Sequence, residues 1–155
     1  MLEPSEPGSQ HVPPHRAQAL SLGIDERYIS DLMDGFYARV RAHEVLGPFF
    51  INAIGEDWSR HLPIIKQFWV TYVFGTAGYS RDMGGIHKRL DHLRPEHFSM
   101  WLNLFRATLV DTASSPEVVD FFMKKAEIVA YSLQVITFGR ENVQAMGIRK
   151  PSRKR

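Results

Sequence analysis

Residues 58–72 read WSRHLPIIKQFWVTY, and Trp58, His61, Ile65, Phe68, Trp69 and Tyr72 recur mainly at intervals of three and four. That is the α-helical period, so the segment predicts a helix with one buried face, ended by Gly75 and Gly78. A histidine lies on that face. Pro63 has no backbone N–H and biases residue 62 away from helical angles, which predicts that the helix begins near His61.

The same period appears on both sides of this segment. Upstream, Ile29, Leu32, Met33, Phe36, Tyr37 and Val40 draw one stripe on a helix over 25–42, with Asp25 as its cap. Between the two stripes, Val45-Leu-Gly-Pro-Phe-Phe-Ile51 is apolar but broken by Gly47 and Pro48, which predicts a tight buried corner or a short helix. Downstream, residues 78–97 are rich in glycine, charge and histidine, and only a short helix over 85–90 is expected there. Pro95 then opens a helix bearing Phe98, Trp101, Leu102, Phe105 and Leu109 on one side. Ser115-Pro116, a cap residue followed by proline, opens a last helix with the stripe Val119, Phe122, Ala126, Val129, Leu133 and Ile136, stopped by Gly139. Nothing alternates with period two, so the predicted class is all-α, with four substantial helices and short pieces. Residues 1 to about 22, with five of the chain's prolines and glycines and no sustained apolar period, read as a disordered extension.

Composition narrows the chemistry. The 155 residues suffice for one ordinary domain, read as residues 23–140, and 44% hydrophobic residues with 18 aromatic ones make it globular. No cysteine is present, which removes disulfides, thiolate metal sites, iron–sulfur clusters, thiol nucleophiles and the covalent attachment of c-type haem. The net charge of +2 conceals a basic tail within 141–155, where Arg149, Lys150, Arg153, Lys154 and Arg155 face no acid; the remainder holds 14 basic against 17 acidic residues. A solubilising terminus is the reading of that tail, and no nucleic-acid partner is expected. The longest stretch free of charged side chains, Gln67 to Ser80, is too short to span a bilayer, and the first residues lack the apolar core of a signal peptide, so a cytoplasmic location is expected.

Histidines on inner helical faces, with Tyr37, Trp69 and Trp101 on the inner stripes of separate helices, point to a flat apolar cofactor whose iron is bound by one imidazole. The ordered set that carries this further is Phe36-Tyr37-Ala-Arg-Val40, Leu46-Gly-Pro-Phe-Phe50, Trp58-Ser-Arg-His61, Phe68-Trp69, Gly75, Tyr79, His87-Lys-Arg-Leu90, Pro95-Glu-His-Phe98 and Trp101-Leu-Asn-Leu-Phe105. Over about residues 25–140 the chain resembles a group III truncated haemoglobin. The resemblance implies a shortened globin fold, a two-over-two helical sandwich around haem b, iron protoporphyrin IX. It implies His87 as the proximal ligand of the haem iron and Tyr37, His61 and Trp101 as distal ligand-binding residues. It also implies Phe50, Ile65, Trp69 and Leu90 as cofactor-contacting residues, with O2, CO and NO as ligands.

The expected function is reversible binding of diatomic gases by a monomer or weak dimer. The alternative is a haem enzyme for NO dioxygenation or peroxide detoxification, which would depend on an external reductase because 155 residues leave no room for one. A cofactor-free helical interaction module is the reading left if no haem is taken up. His87, His92 and His97 stand five apart, a poor spacing for a shared zinc ion, and His11, His15 and His43 read as solvated surface residues.

Overall fold

The computed structural model describes residues 14–55, 57–75 and 92–151, and these form seven helices and no strand. They are α1 (Pro14–Ser21), α2 (Glu26–Ala42), α3 (Leu46–Ile54), α4 (His61–Phe74), α5 (Pro95–Thr112), α6 (Pro116–Phe138) and α7 (Arg140–Ala145). The short helix expected over 85–90 lies outside the described residues. None of the described helices is long and apolar enough to cross a membrane.

Helix α2 starts where its sequence says it should, because the Asp25 carboxylate accepts the Tyr28 backbone N–H at 2.7 Å and satisfies one of the donors that a helix start leaves open. Its six buried residues are the six of the predicted stripe, Ile29, Leu32, Met33, Phe36, Tyr37 and Val40. This face meets α3, α4 and α5 together, which places α2 at the centre of the domain. Asp34 pairs with Lys66 of α4 at 2.8 Å, and Arg39 pairs with Asp111 of α5. Both ion pairs are exposed enough that their stabilisation is small beside that of the apolar face.

The turn from α2 into α3 needs its glycine. A Cβ on Gly47 would stand 2.5 Å from the Arg41 carbonyl oxygen, a clash with backbone that no side-chain rotation relieves. His43 is part of the same turn and is not a solvated surface residue: its Nδ1 accepts the backbone N–H groups of Val45 and Leu46, both at 3.1 Å. The apolar segment after it is a short helix.

Helix α4 begins at His61, as Pro63 predicts, and closes on Gly75 in the left-handed conformation. Helices α5 and α6 pair along their length. The Ser115 hydroxyl caps α6 by accepting the Val118 N–H at 3.3 Å, and Gly139 ends it with φ of 90°. The buried face of α6 differs from the predicted stripe. Val118, Phe121, Phe122, Met123, Ala126, Ala130, Leu133 and Gln134 are buried, Val119 and Val129 are half-buried, and Ile136 is exposed. The helix is apolar on much of its circumference, so periodicity alone admits several stripes and the partner helix selects among them.

Both ends depart from expectation. The extension expected to be without structure is helical from Pro14 to Ser21 and packs on α4, with Ala19 wholly buried. Residues 141–145 belong to α7, whose Val143 is wholly buried against the domain. Each of these helices offers one buried residue in about two turns, too few to generate a period, and such short helices persist only through packing.

Candidate functional site

Helices α2, α4 and α5 bring five aromatic rings into continuous contact. Phe36 stands edge-on to Tyr37, Trp101 and Phe105 at 4.7, 5.4 and 4.9 Å between ring centroids. Trp101 stacks on Phe105 at 5.7 Å, and Trp69 stacks on the same ring at 5.3 Å. Tyr37 in turn meets Phe50 of α3 at 6.2 Å and Trp58 at 5.6 Å. Offset and edge-on pairs of this kind hold ring orientation as well as burying area.

Two of the sequence-predicted distal residues are joined directly. Tyr37 is buried and shares a hydrogen bond with Trp101. Burial pushes its phenol up to about 12, an effect that the Trp101 hydrogen bond partly opposes, so the O–H keeps its proton throughout the neutral range. Phe50 lies against Tyr37. His61 and Ile65, one turn apart on α4, are half-buried. Trp69 is buried, stacked on Phe105 and near Phe122, so it backs the aromatic cluster. His87 and Leu90 lie outside the described residues.

Beside the cluster, α3, α5 and α6 enclose a cleft with about 390 Å³ of atom-free space, part of it open to solvent. Leu46, Phe50, Leu93, His97, Phe98, Trp101, Ala130 and Leu133 line it, and His97 is the one titratable side chain among them. Of the residues singled out in the sequence, Phe50 and Trp101 are in this wall. The sequence marks Phe98 and Leu133 only as members of apolar stripes and His97 only as a poor zinc ligand, because the wall joins three separate elements; Ala130 contributes by being small. Leu46, His97 and Phe98 did fall within the segments that carried the family resemblance.

His97 is held in a defined way. Its Nδ1 accepts the Arg94 backbone N–H at 2.9 Å, which caps the start of α5, and its ring packs on Phe49 at 4.5 Å. Burial lowers its pKa most, Glu96 opposes that shift, and Arg94 adds to it.

The wall fits a flat apolar group with few polar atoms. A further observation agrees with this: the Trp58 indole N–H is buried between Tyr37 and Phe50 with no hydrogen-bond partner among the described residues, and buried donors are seldom left so. No group of three or more His, Cys, Asp or Glu side chains that could hold a metal ion occurs among the described residues. An iron held within a macrocycle needs only one or two protein ligands, and the apolar wall is suited to such a macrocycle.

No family model matches the chain. A group 3 truncated hemoglobin of Campylobacter jejuni subsp. jejuni is 32% identical over 114 residues, which span 72% of this chain and 89% of that protein. A group 2 truncated hemoglobin of Bacillus subtilis is 28% identical over 111 residues, 69% of this chain and 81% of that protein. The crystal structure of the group III truncated hemoglobin from Campylobacter jejuni superposes with a TM-score of 0.69 at 30% identity, covering 74% of this chain and 92% of that one. With an all-helical architecture that matches this structure and a sequence match running through nearly the whole of the relative, the chain belongs to the group III truncated haemoglobins.

Proposed function

We propose that this protein holds haem b and reversibly binds O2, CO and NO, with His87 as proximal ligand and Tyr37, His61 and Trp101 on the distal side. The observation that carries the reading is the apolar cleft walled by Phe50, Trp101 and their neighbours, with the buried Tyr37 ring set against Phe50 beside it. Haem, when bound, supplies an iron that takes up a diatomic gas. The chain's part is to exclude water and to present donors. Phe50, Phe98, Ala130 and Leu133 make the wall apolar, which strengthens any hydrogen bond formed beside it. The Trp101 indole N–H donates to the Tyr37 oxygen, which leaves the Tyr37 O–H as the donor oriented before a ligand arrives. Such a donor contributes ~1 to 3 kcal/mol toward a polarised diatomic ligand, up to about a hundredfold in its off-rate.

The test separates donors from packing. Tyr37→Phe keeps the ring that contacts Phe36 and removes the O–H, and Trp101→Phe keeps an aromatic ring against Phe36 and Phe105 and removes the N–H. O2 dissociation, followed by stopped flow, is expected to accelerate by about tenfold in each variant, while CO dissociation changes much less. Equal acceleration for both gases would mean that the two residues act by filling space.

A further inference from the structure

The cleft has one polar member whose role the gas-binding reading does not use. His97, at the third position of α5, has its Nδ1 occupied as acceptor of the Arg94 N–H at 2.9 Å. A ring nitrogen that accepts an N–H carries no proton, so the neutral imidazole bears its hydrogen on Nε2. The tautomer is thus set by the backbone, and the ring plane is set by Phe49 at 4.5 Å. What remains is a single oriented N–H donor in a wall whose other members are Leu46, Phe50, Leu93, Phe98, Trp101, Ala130 and Leu133. The Arg94 guanidinium is near enough to disfavour a charge on the ring, while Glu96 acts in the opposite sense.

We propose that His97 is a carboxylate-binding residue of the cleft, its Nε2–H donating to a propionate carboxylate at the edge of the haem. The proposal rests on the haem reading above and adds to it an anchor for the cofactor's polar rim. The gas ligands have no carboxylate, so the role concerns retention and seating of the cofactor and not the distal chemistry. An amide mimics either half of the imidazole. Asparagine at 97 retains an acceptor where Nδ1 caps the helix but does not reach as far as Nε2, whereas glutamine retains an N–H donor at that reach.

The experiment compares wild-type protein, His97→Asn and His97→Gln, each reconstituted once with haem and once with haem dimethyl ester, which lacks the carboxylates. Cofactor loss to an excess of a haem-free globin scavenger is followed by absorption. His97→Asn is expected to lose haem about tenfold faster than wild type, His97→Gln to stay within about twofold, and the ester to leave all three proteins at one rate. Haem loss from His97→Asn at the wild-type rate overturns the proposal. Equal acceleration for haem and ester also overturns it, since packing alone would then explain the effect. If wild-type protein takes up neither cofactor, the haem reading itself falls and this assignment with it, an outcome distinct from the other two.

Discussion

Replacing His87 by alanine is expected to leave a protein that expresses and folds in part but does not retain haem. The proposed reading puts His87 in the proximal position, and two other histidines have their Nδ1 engaged elsewhere. His43 commits its Nδ1 to the N–H groups of Val45 and Leu46, and His97 commits its Nδ1 to that of Arg94. Without cysteine there is no thiolate to take over the iron. Because a cofactor that binds only the folded state stabilises it by mass action, losing the iron bond costs the stability conferred by binding, ~4 kcal/mol at a thousandfold excess over the dissociation constant. The measurement is a Soret absorption spectrum with a thermal melt of wild type and variant side by side. A normal haem spectrum and melting temperature in His87→Ala would show that another residue holds the iron.

Phe105→Ala is expected to be the most damaging single change among the described residues. The ring is fully buried and is shared by Trp101, Trp69, Phe36 and Phe122. Removing it deletes buried aromatic area and leaves a cavity that four neighbouring rings from four helices can only partly collapse into. Such truncations cost ~3 to 5 kcal/mol, a large fraction of the roughly 5 to 15 kcal/mol that stabilises a domain. Function should suffer as well, because the donor Trp101 loses the face on which it stacks and Tyr37 loses a fixed partner. Urea unfolding reads the first effect as a lower midpoint at unchanged slope, and O2 dissociation reads the second. A midpoint shift equivalent to less than about 1 kcal/mol would mean that the aromatic cluster is not the keystone of the core.

The two variants differ in kind, and so did the legibility of what they test. The core was readable wherever one helix presents one narrow apolar face, which is why the six-residue stripe of α2 and the caps Asp25 and Ser115 match the structure residue for residue. It was less readable in α6, apolar on much of its circumference, where Ile136 proved exposed and Ala130 buried. It failed for α1 and α7, because a helix with one buried side chain carries no period at all. The site shows a similar division. Tyr37 and Trp101 stood on inner stripes and in the family pattern, and the fold joins them. A stripe cannot distinguish a residue that lines a cavity from one that fills the core, and Trp69, stacked on Phe105, is buried among other rings. The cleft wall is a tertiary product: Leu46, His97 and Leu133 meet only once α3, α5 and α6 have packed. The Trp58 N–H, without a partner among the described residues, left no trace in the sequence, since a lone tryptophan on an apolar face is ordinary core.

One titration tests the central claim most directly. Haem is added to the haem-free protein, and the Soret band is followed before and after reduction with dithionite and exposure to CO. The account predicts saturation at one haem per chain, a ferrous spectrum that shifts sharply on adding CO, and loss of that shift in His87→Ala. Haem that binds without a stoichiometric endpoint, or a reduced spectrum that CO does not change, would contradict it.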